Sequence, residues 1–171
     1  MFETSDLNNS MPNLQVSSPY GQQQPNFSLR GVGVGTEYNA NAASPVGVYV
    51  DEVYQAFRAS HGQQLYDLAQ IEVVRGPQGT LFGRNTTGGA ILYYPTMPTY
   101  DLEGYVQATY GSYNAVIGEA AINLPIVDQK VALRISGQYQ KRDGWTKNIG
   151  VGKDADDLNS RAIRGTLLLD L

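Results

Sequence analysis

The chain has 171 residues, a formal net charge of −4, one histidine and no cysteine. That balance argues against a general nucleic-acid binder and excludes disulfides, thiol catalysis and Cys-ligated zinc. His61 alone leaves too few imidazoles for a His-based metal site, so neither a resident metal nor a cofactor is expected.

Twelve tyrosines and 19 glycines stand against four phenylalanines and one tryptophan. This composition suits β-rich surfaces and tight turns better than helix bundles. No apolar run approaches the roughly 20 residues of a membrane helix. The opening MFETSDLNNSMPNLQ has neither the basic start nor the apolar centre of a signal peptide. A membrane β-barrel stays open, because its strands are short and only half apolar.

Up to about Pro98 the apolar runs are strand-sized and mostly bounded by turn residues: 14–16, 27–29, 46–50, 71–74 and 90–94. Residues 62–70 have no internal Gly or Pro, and Leu65 and Leu68 lie three apart, which predicts a short helix. This part reads as a small mixed α/β unit.

Its densest feature is RGPQGTLFGRNTTGGAI, residues 75–91. A phosphate-binding P-loop needs four residues between its glycines and then Lys with Ser or Thr. Here three residues separate Gly79 from Gly83, and Arg84-Asn85 follows. A Rossmann loop needs G-x-G-x-x-G opening a helix, and Gly76-Pro77-Gln78-Gly79 lacks the first spacing. A nucleotide-using enzyme is therefore disfavoured. Sharp, close-packed turns account for the glycines better. Arg75 and Arg84, if buried, need carboxylate partners.

After Pro98 the period becomes two. Val116, Gly118, Ala120, Ile122 and Leu124 alternate with Glu119 and Asn123. Val131, Leu133, Ile135, Gly137 and Tyr139 alternate with Ala132, Arg134, Ser136, Gln138 and Gln140. Ile163, Gly165, Leu167 and Leu169 alternate with Arg164, Thr166 and Asp170, and 103–113 alternates more weakly. Residues 111–114 and 125–129 read as short turns, and 141–160 as a long charged loop. The pattern predicts an antiparallel meander of four strands.

At about 3.3 Å per residue and a tilt near 45°, 11 residues rise about 26 Å, close to the apolar band of an outer-membrane barrel. The mid-strand charges all share the polar face, as a barrel requires. A soluble sandwich with one wet face has the same pattern, so alternation alone leaves both open.

The segment IEVVRGPQGTLFGRNTTGGAILYY resembles the signature near the end of the plug domain of TonB-dependent outer-membrane receptors. DLNNSMPNLQV, FSLRGVG, VGVYVDEVY and LYDLAQIEVVRG are similar, in order, to earlier pieces of that domain. EGYVQATYGSYN, LPIVDQKVALRISGQYQKRDGW and RGTLLLDL resemble the first barrel strands. The family favours Asp-Gly where this chain has Asp51-Glu52, so the tight hairpin turn is in question here. ILYYPTMP and Ala69-Gln70 also depart from the usual pattern.

The resemblance implies a mainly β fold. An α+β plug with a small mixed sheet and short helix, over 1–98, would lack its N-terminal part. The first four or so antiparallel strands of a 22-strand transmembrane barrel would follow over 99–171. The chain would be an incomplete fragment of a receptor for active uptake of a scarce nutrient, most often a ferric siderophore. The alternative is a soluble secreted β-rich binding module.

No catalysis is implied. The implied partners are outer-membrane lipid, the remainder of the barrel, TonB and a siderophore-like ligand, with no nucleic acid. The location implied is the bacterial outer membrane. Arg30, Tyr54, Gln55 and Tyr66 are the candidate ligand contacts, since aromatic and Arg groups suit large anionic or aromatic chelates. Arg75, Gly76, Gly79, Gly83, Arg84, Gly88 and Gly89 form the structural motif. The first barrel strand would rise outward, placing 111–114 and 141–160 outside and 125–129 on the periplasmic side.

Overall fold

The computed structural model describes residues 4–19, 24–34, 43–62 and 64–170. They fall into two compact units, 1–96 and 97–171. No helix among the described residues is long and apolar enough to cross a membrane.

In the first unit, α1 (Leu7–Ser10) leads into β1 (Leu14–Ser17), which pairs antiparallel with β2 (Asn26–Leu29). β3 (Val46–Val50) turns back into β4 (Val53–Tyr54), and β5 (Leu68–Arg75) follows. α2 (Gly79–Phe82) precedes β6 (Gly89–Pro95). The second sheet has the order β4-β3-β6-β5, with β3 parallel to β6 and the other neighbours antiparallel. All five apolar runs of this unit become strands.

β6 lies inside that sheet and is buried almost throughout, as expected of a strand covered on both faces. Its side chains alternate between two clusters. Ile91 and Tyr93 join Leu7, Leu14, Phe27, Leu29, Val46, Val48 and Leu65 on one side. Ala90 and Leu92 meet Tyr49 on the other.

The described residues of 62–70 do not form the predicted helix. Asp67 takes φ +48, which no right-handed helix accepts, and the strand begins at Leu68. The β-branched residues Ile71, Val73 and Val74 favour extension, and pairing of this segment and its upstream neighbours with β6 outweighs the local helical pattern. A single 3₁₀ turn at Arg58–Ser60 stands upstream instead.

The second unit is a meander of β7 (Glu103–Gly111), β8 (Ala115–Val127), β9 (Val131–Arg142) and β10 (Leu158–Leu169), every neighbour antiparallel. Register runs straight across it: Val106 faces Ala120, Ala120 faces Gly137, and Gly137 faces Ile163.

The two faces of this sheet are opposite in kind. The apolar face is open: Val106 is 85% exposed, Ile163 81%, and Val116, Ile122, Ile135, Leu167 and Leu169 are exposed too. On the polar face Asn123, Arg134, Ser136, Gln138 and Gln140 are buried. Gln140 donates to Gln138 (2.8 Å), Gln138 to Glu119 (3.4 Å), and Tyr105 to Glu119 (2.5 Å), so the polar groups satisfy one another along the face.

Asn123 ties the segment ahead of β7 to β8. Its amide nitrogen donates to the Thr99 carbonyl (2.7 Å), the Thr99 hydroxyl (3.1 Å) and the Asp101 carbonyl (2.6 Å). Its oxygen accepts from the Thr99 amide at 3.1 Å. The 143–157 connection is ordered by a Thr146–Ala155 bridge, and the Arg142 guanidinium lies 4.0 Å over the Trp145 ring.

Candidate functional site

Two tight hairpin turns shape the first unit. In FSLRGVG, Leu29 pairs with Val32 around Arg30 (φ +52) and Gly31 (φ +80). In VGVYVDEVY, Val50 pairs with Val53 around Asp51 (φ +49) and Glu52 (φ +65). Positive φ at both central residues is the signature of the type I′ turn. The missing glycine at Glu52 therefore does not abolish the tight turn. The pairing of Tyr49 with Tyr54 and of Val50 with Val53 holds both residues in a region that is costly for a side chain.

The turn at Arg30-Gly31 leaves Arg30 exposed at its tip, with the backbone fixed by a 2.9 Å bond from the Arg30 amide to the Asn13 carbonyl. Tyr54 and Gln55 sit half-buried at the end of the other hairpin. The Gln55 amide donates to the Val48 carbonyl at 2.8 Å. Tyr66 is only 7% exposed. Tyr54 and Gln55 thus stand together at the end of one hairpin, while Arg30 stands on another and Tyr66 is buried.

The Gly-rich stretch is a closed loop between β5 and β6. The Gly76 amide donates to the Gly88 carbonyl (3.1 Å), Gln78 to Thr86 (2.9 Å) and Gly88 to Pro45 (2.8 Å). Gly79 opens the four-residue α2, and the Gly83 amide closes it on the Gly79 carbonyl at 3.0 Å. The amides of Gly76, Gln78 and Gly83 are thus engaged by carbonyls of the same loop, which closes it on itself. Gly89 has φ +143, and a Cβ there would lie 2.2 Å from the Val74 carbonyl oxygen, so only glycine fits where β6 enters the sheet. Arg75 and Arg84 are both exposed, and neither has an ion-pair partner among the described residues.

Side-chain contacts absent from any linear motif join this loop to the hairpin. The Tyr49 hydroxyl donates to the Phe82 carbonyl at 2.7 Å, and the two rings lie 5.0 Å apart. Tyr54 stacks at a tilt on Tyr49 with centroids 5.4 Å apart and accepts a 2.9 Å bond from the Asn85 amide. The period-two pattern of VGVYVDEVY could have flagged Tyr49 as facing away from Val48 and Val50. Nothing in the sequence pairs it with residues 33 positions on.

His61 ends the 3₁₀ turn and is buried. Its Nε2 lies 3.0 Å from the Gln55 carbonyl, and its ring neighbours Phe27. Burial pushes its pKa below the usual imidazole value, the Gln55 bond opposes this, and the nearby Arg58 charge reinforces it. It is a buried structural residue at the base of the Gln55 turn. No group of three or more metal-ligating side chains occurs among the described residues.

The sequence profile of the TonB-dependent Receptor Plug Domain family matches residues 3–90. The pesticin receptors of Yersinia pestis and Yersinia enterocolitica are 30% identical over 162 residues, covering 94% of this chain and 23% of theirs. The ferrioxamine B receptor of Salmonella typhimurium is 34% identical over 88 residues, covering 49% of this chain and 12% of its own. The crystal structure of the ferric yersiniabactin uptake receptor of Yersinia pestis superposes with a TM-score of 0.82 at 28% identity, over 97% of this chain and 26% of that one. The pyoverdine outer membrane receptor of Pseudomonas aeruginosa PAO1 shares the fold at 20% identity, with a TM-score of 0.75 over 99% of this chain and 23% of its own.

The chain thus spans about a quarter of the length of the relatives it matches. These relatives are outer-membrane receptors of Gram-negative bacteria and not enzymes. With the profile covering more than half of its residues, the chain belongs to the TonB-dependent receptor family.

Proposed function

We propose that this chain supplies plug-domain and opening barrel strands to an outer-membrane receptor that takes up a ferric siderophore with energy delivered through TonB. The observation that carries the reading is the inverted sheet: apolar side chains such as Val106, Ile122, Ile135 and Ile163 are exposed, while Asn123 of β8 and Arg134, Ser136, Gln138 and Gln140 of β9 are buried. A soluble sandwich hides the apolar face. A barrel wall turns it to lipid and keeps the polar face inside, since a charge on the lipid side costs about 2–4 kcal/mol at mid-depth. β7 and β10 each have one neighbour in the sheet, so closure needs further strands.

On this reading residues 1–98 are plug and 99–171 barrel wall. The short turns after β7 and the long 143–157 connection face outward, and the turn between β8 and β9 faces the periplasm. The siderophore class is supported by the names of the relatives, which include ferrioxamine B, ferric yersiniabactin and pyoverdine receptors. Arg30, Tyr54, Gln55 and Tyr66 are the proposed ligand contacts, Tyr66 only if the interior opens on binding. Exposed Arg30 offers charge to an anionic chelate, and Tyr54 and Gln55 offer a ring and an amide side by side.

Arg75 and Arg84 flank a self-bonded loop and have no ion-pair partner among the described residues, which fits a role as locks to carboxylates of the remaining barrel. Uptake of ⁵⁵Fe complexed with yersiniabactin or ferrioxamine B, by cells carrying the full-length receptor, tests the function. TonB-dependent accumulation of either chelate supports it, and uptake indifferent to TonB contradicts it. If Arg75→Ala with Arg84→Ala leaves both stability and uptake unchanged, the lock idea fails.

A further inference from the structure

We propose that Asn85 is a positioning residue for the ligand contact at Tyr54, so that the Gly-rich loop sets the pose of the hairpin's half-buried phenol. The inference rests on the reading above that Tyr54 meets the chelate.

β4 is only two residues long and lies at a sheet edge, paired with β3 alone. Such a strand fixes a backbone but leaves a half-buried tyrosine ring free to choose among rotamers. Two contacts remove that freedom. One is the 2.9 Å bond from the Asn85 amide to the Tyr54 hydroxyl oxygen. The other is the tilted packing on Tyr49, which is itself tied to Phe82 by its hydroxyl and its ring. Both trace to the loop between β5 and β6.

Asn85 is suited to the task. Its φ of +64 lies in the left-handed region, which asparagine enters more readily than other side chains. Its neighbour Thr86 is buried, accepts the Gln78 amide on its carbonyl and donates its hydroxyl to the Gly83 carbonyl at 2.7 Å, so the loop backbone at Asn85 is held. The chemistry at Tyr54 follows from direction. A phenol oxygen that accepts from an amide keeps its own proton to donate, and that proton is available to an oxygen of an anionic chelate.

The test uses the full-length receptor with Asn85→Gly, Tyr54→Phe, their double variant and Tyr54→Ala. Glycine keeps the left-handed backbone and deletes only the amide. Hydrogen exchange at the Gln55 amide reads the pose without any ligand, and it should quicken about tenfold in Asn85→Gly, the effect of one lost hydrogen bond. The ligand probe is whichever of ferric yersiniabactin and ferrioxamine B the uptake assay selects. Affinity should fall at least about tenfold in Tyr54→Phe and about tenfold in Asn85→Gly, and the double variant should fall no further than Tyr54→Phe, because the Asn85 amide acts through the hydroxyl that Tyr54→Phe removes.

Unchanged exchange in Asn85→Gly, or losses of affinity that simply add, overturns the positioning role. Unchanged affinity in Tyr54→Ala instead overturns the ligand reading of Tyr54, and a tenfold change in exchange then still upholds the hold of Asn85 on the hairpin.

Discussion

The two units use the same period-two alternation and bury opposite halves of it. In the first unit Val46, Val48, Ile91 and Tyr93 turn into a core. In the second, Val106, Ile122, Ile135 and Ile163 turn out, and Asn123, Arg134, Gln138 and Gln140 are buried. Alternation therefore specifies that a strand has two unlike faces, and the surroundings decide which one is hidden. Where the surroundings are water the apolar face hides. Where they are lipid it does not.

The sharpest way to break this contrast is inside the first unit. Gly89→Ala places a methyl group 2.2 Å from the Val74 carbonyl oxygen at φ +143. We expect a loss of about 4 kcal/mol, from backbone strain plus overpacking. In the full-length receptor this should unfold the plug at lower urea, read by tryptic nicking within residues 1–96, while the barrel keeps its heat-modifiable gel mobility.

Next in size is a charge on the outer face of the second unit. Ile163→Arg should cost about 3 kcal/mol when the receptor refolds into lipid vesicles, measured by urea titration. The neighbouring Arg164, on the opposite face, already carries the same group. A cost near zero at position 163 would mean that this face meets water.

A smaller effect is expected where the units are joined in sequence. Asn123→Ala removes a fully buried amide with contacts to Thr99 and Asp101. Leaving those backbone groups unpaired should cost about 2 kcal/mol and raise hydrogen exchange at the Thr99 amide, with β8 and β9 still paired.

Much of this was legible in the chain itself. The five short apolar runs became strands because turn residues fence them. The four long alternating segments became a meander because the two short turns leave no room for crossovers, and across the long 143–157 connection β10 pairs directly with β9. The predicted helix at 62–70 failed because pairing with β6 rewarded extension more than Leu65 and Leu68 rewarded helix. The 3₁₀ turn at Arg58–Ser60 and the four-residue α2 are too short to leave a periodic signal.

At the candidate site, Arg30, Tyr54 and Gln55 were nameable from motif resemblance, and the strained turn at Asp51-Glu52 was not, because only pairing holds it. Nor could local pattern reveal Tyr49 on Phe82 or Asn85 on Tyr54, contacts 33 and 31 residues apart. The inversion of the second sheet was equally hidden, since a wet face and a lumen face have the same composition.

Labelling of single cysteines, which this chain does not otherwise contain, tests the inverted sheet most directly. Cysteine is placed at Val106, Ala120 or Ile163 on the apolar row, and at Gln107, Glu119 or Gln138 on the polar row. The full-length receptor in membranes is then treated with a membrane-impermeant maleimide or a lipid-soluble one. The apolar row should react with the lipid-soluble reagent and resist the impermeant one, and the polar row should resist the lipid-soluble reagent. An apolar row that reacts readily with the impermeant reagent would contradict the inverted sheet.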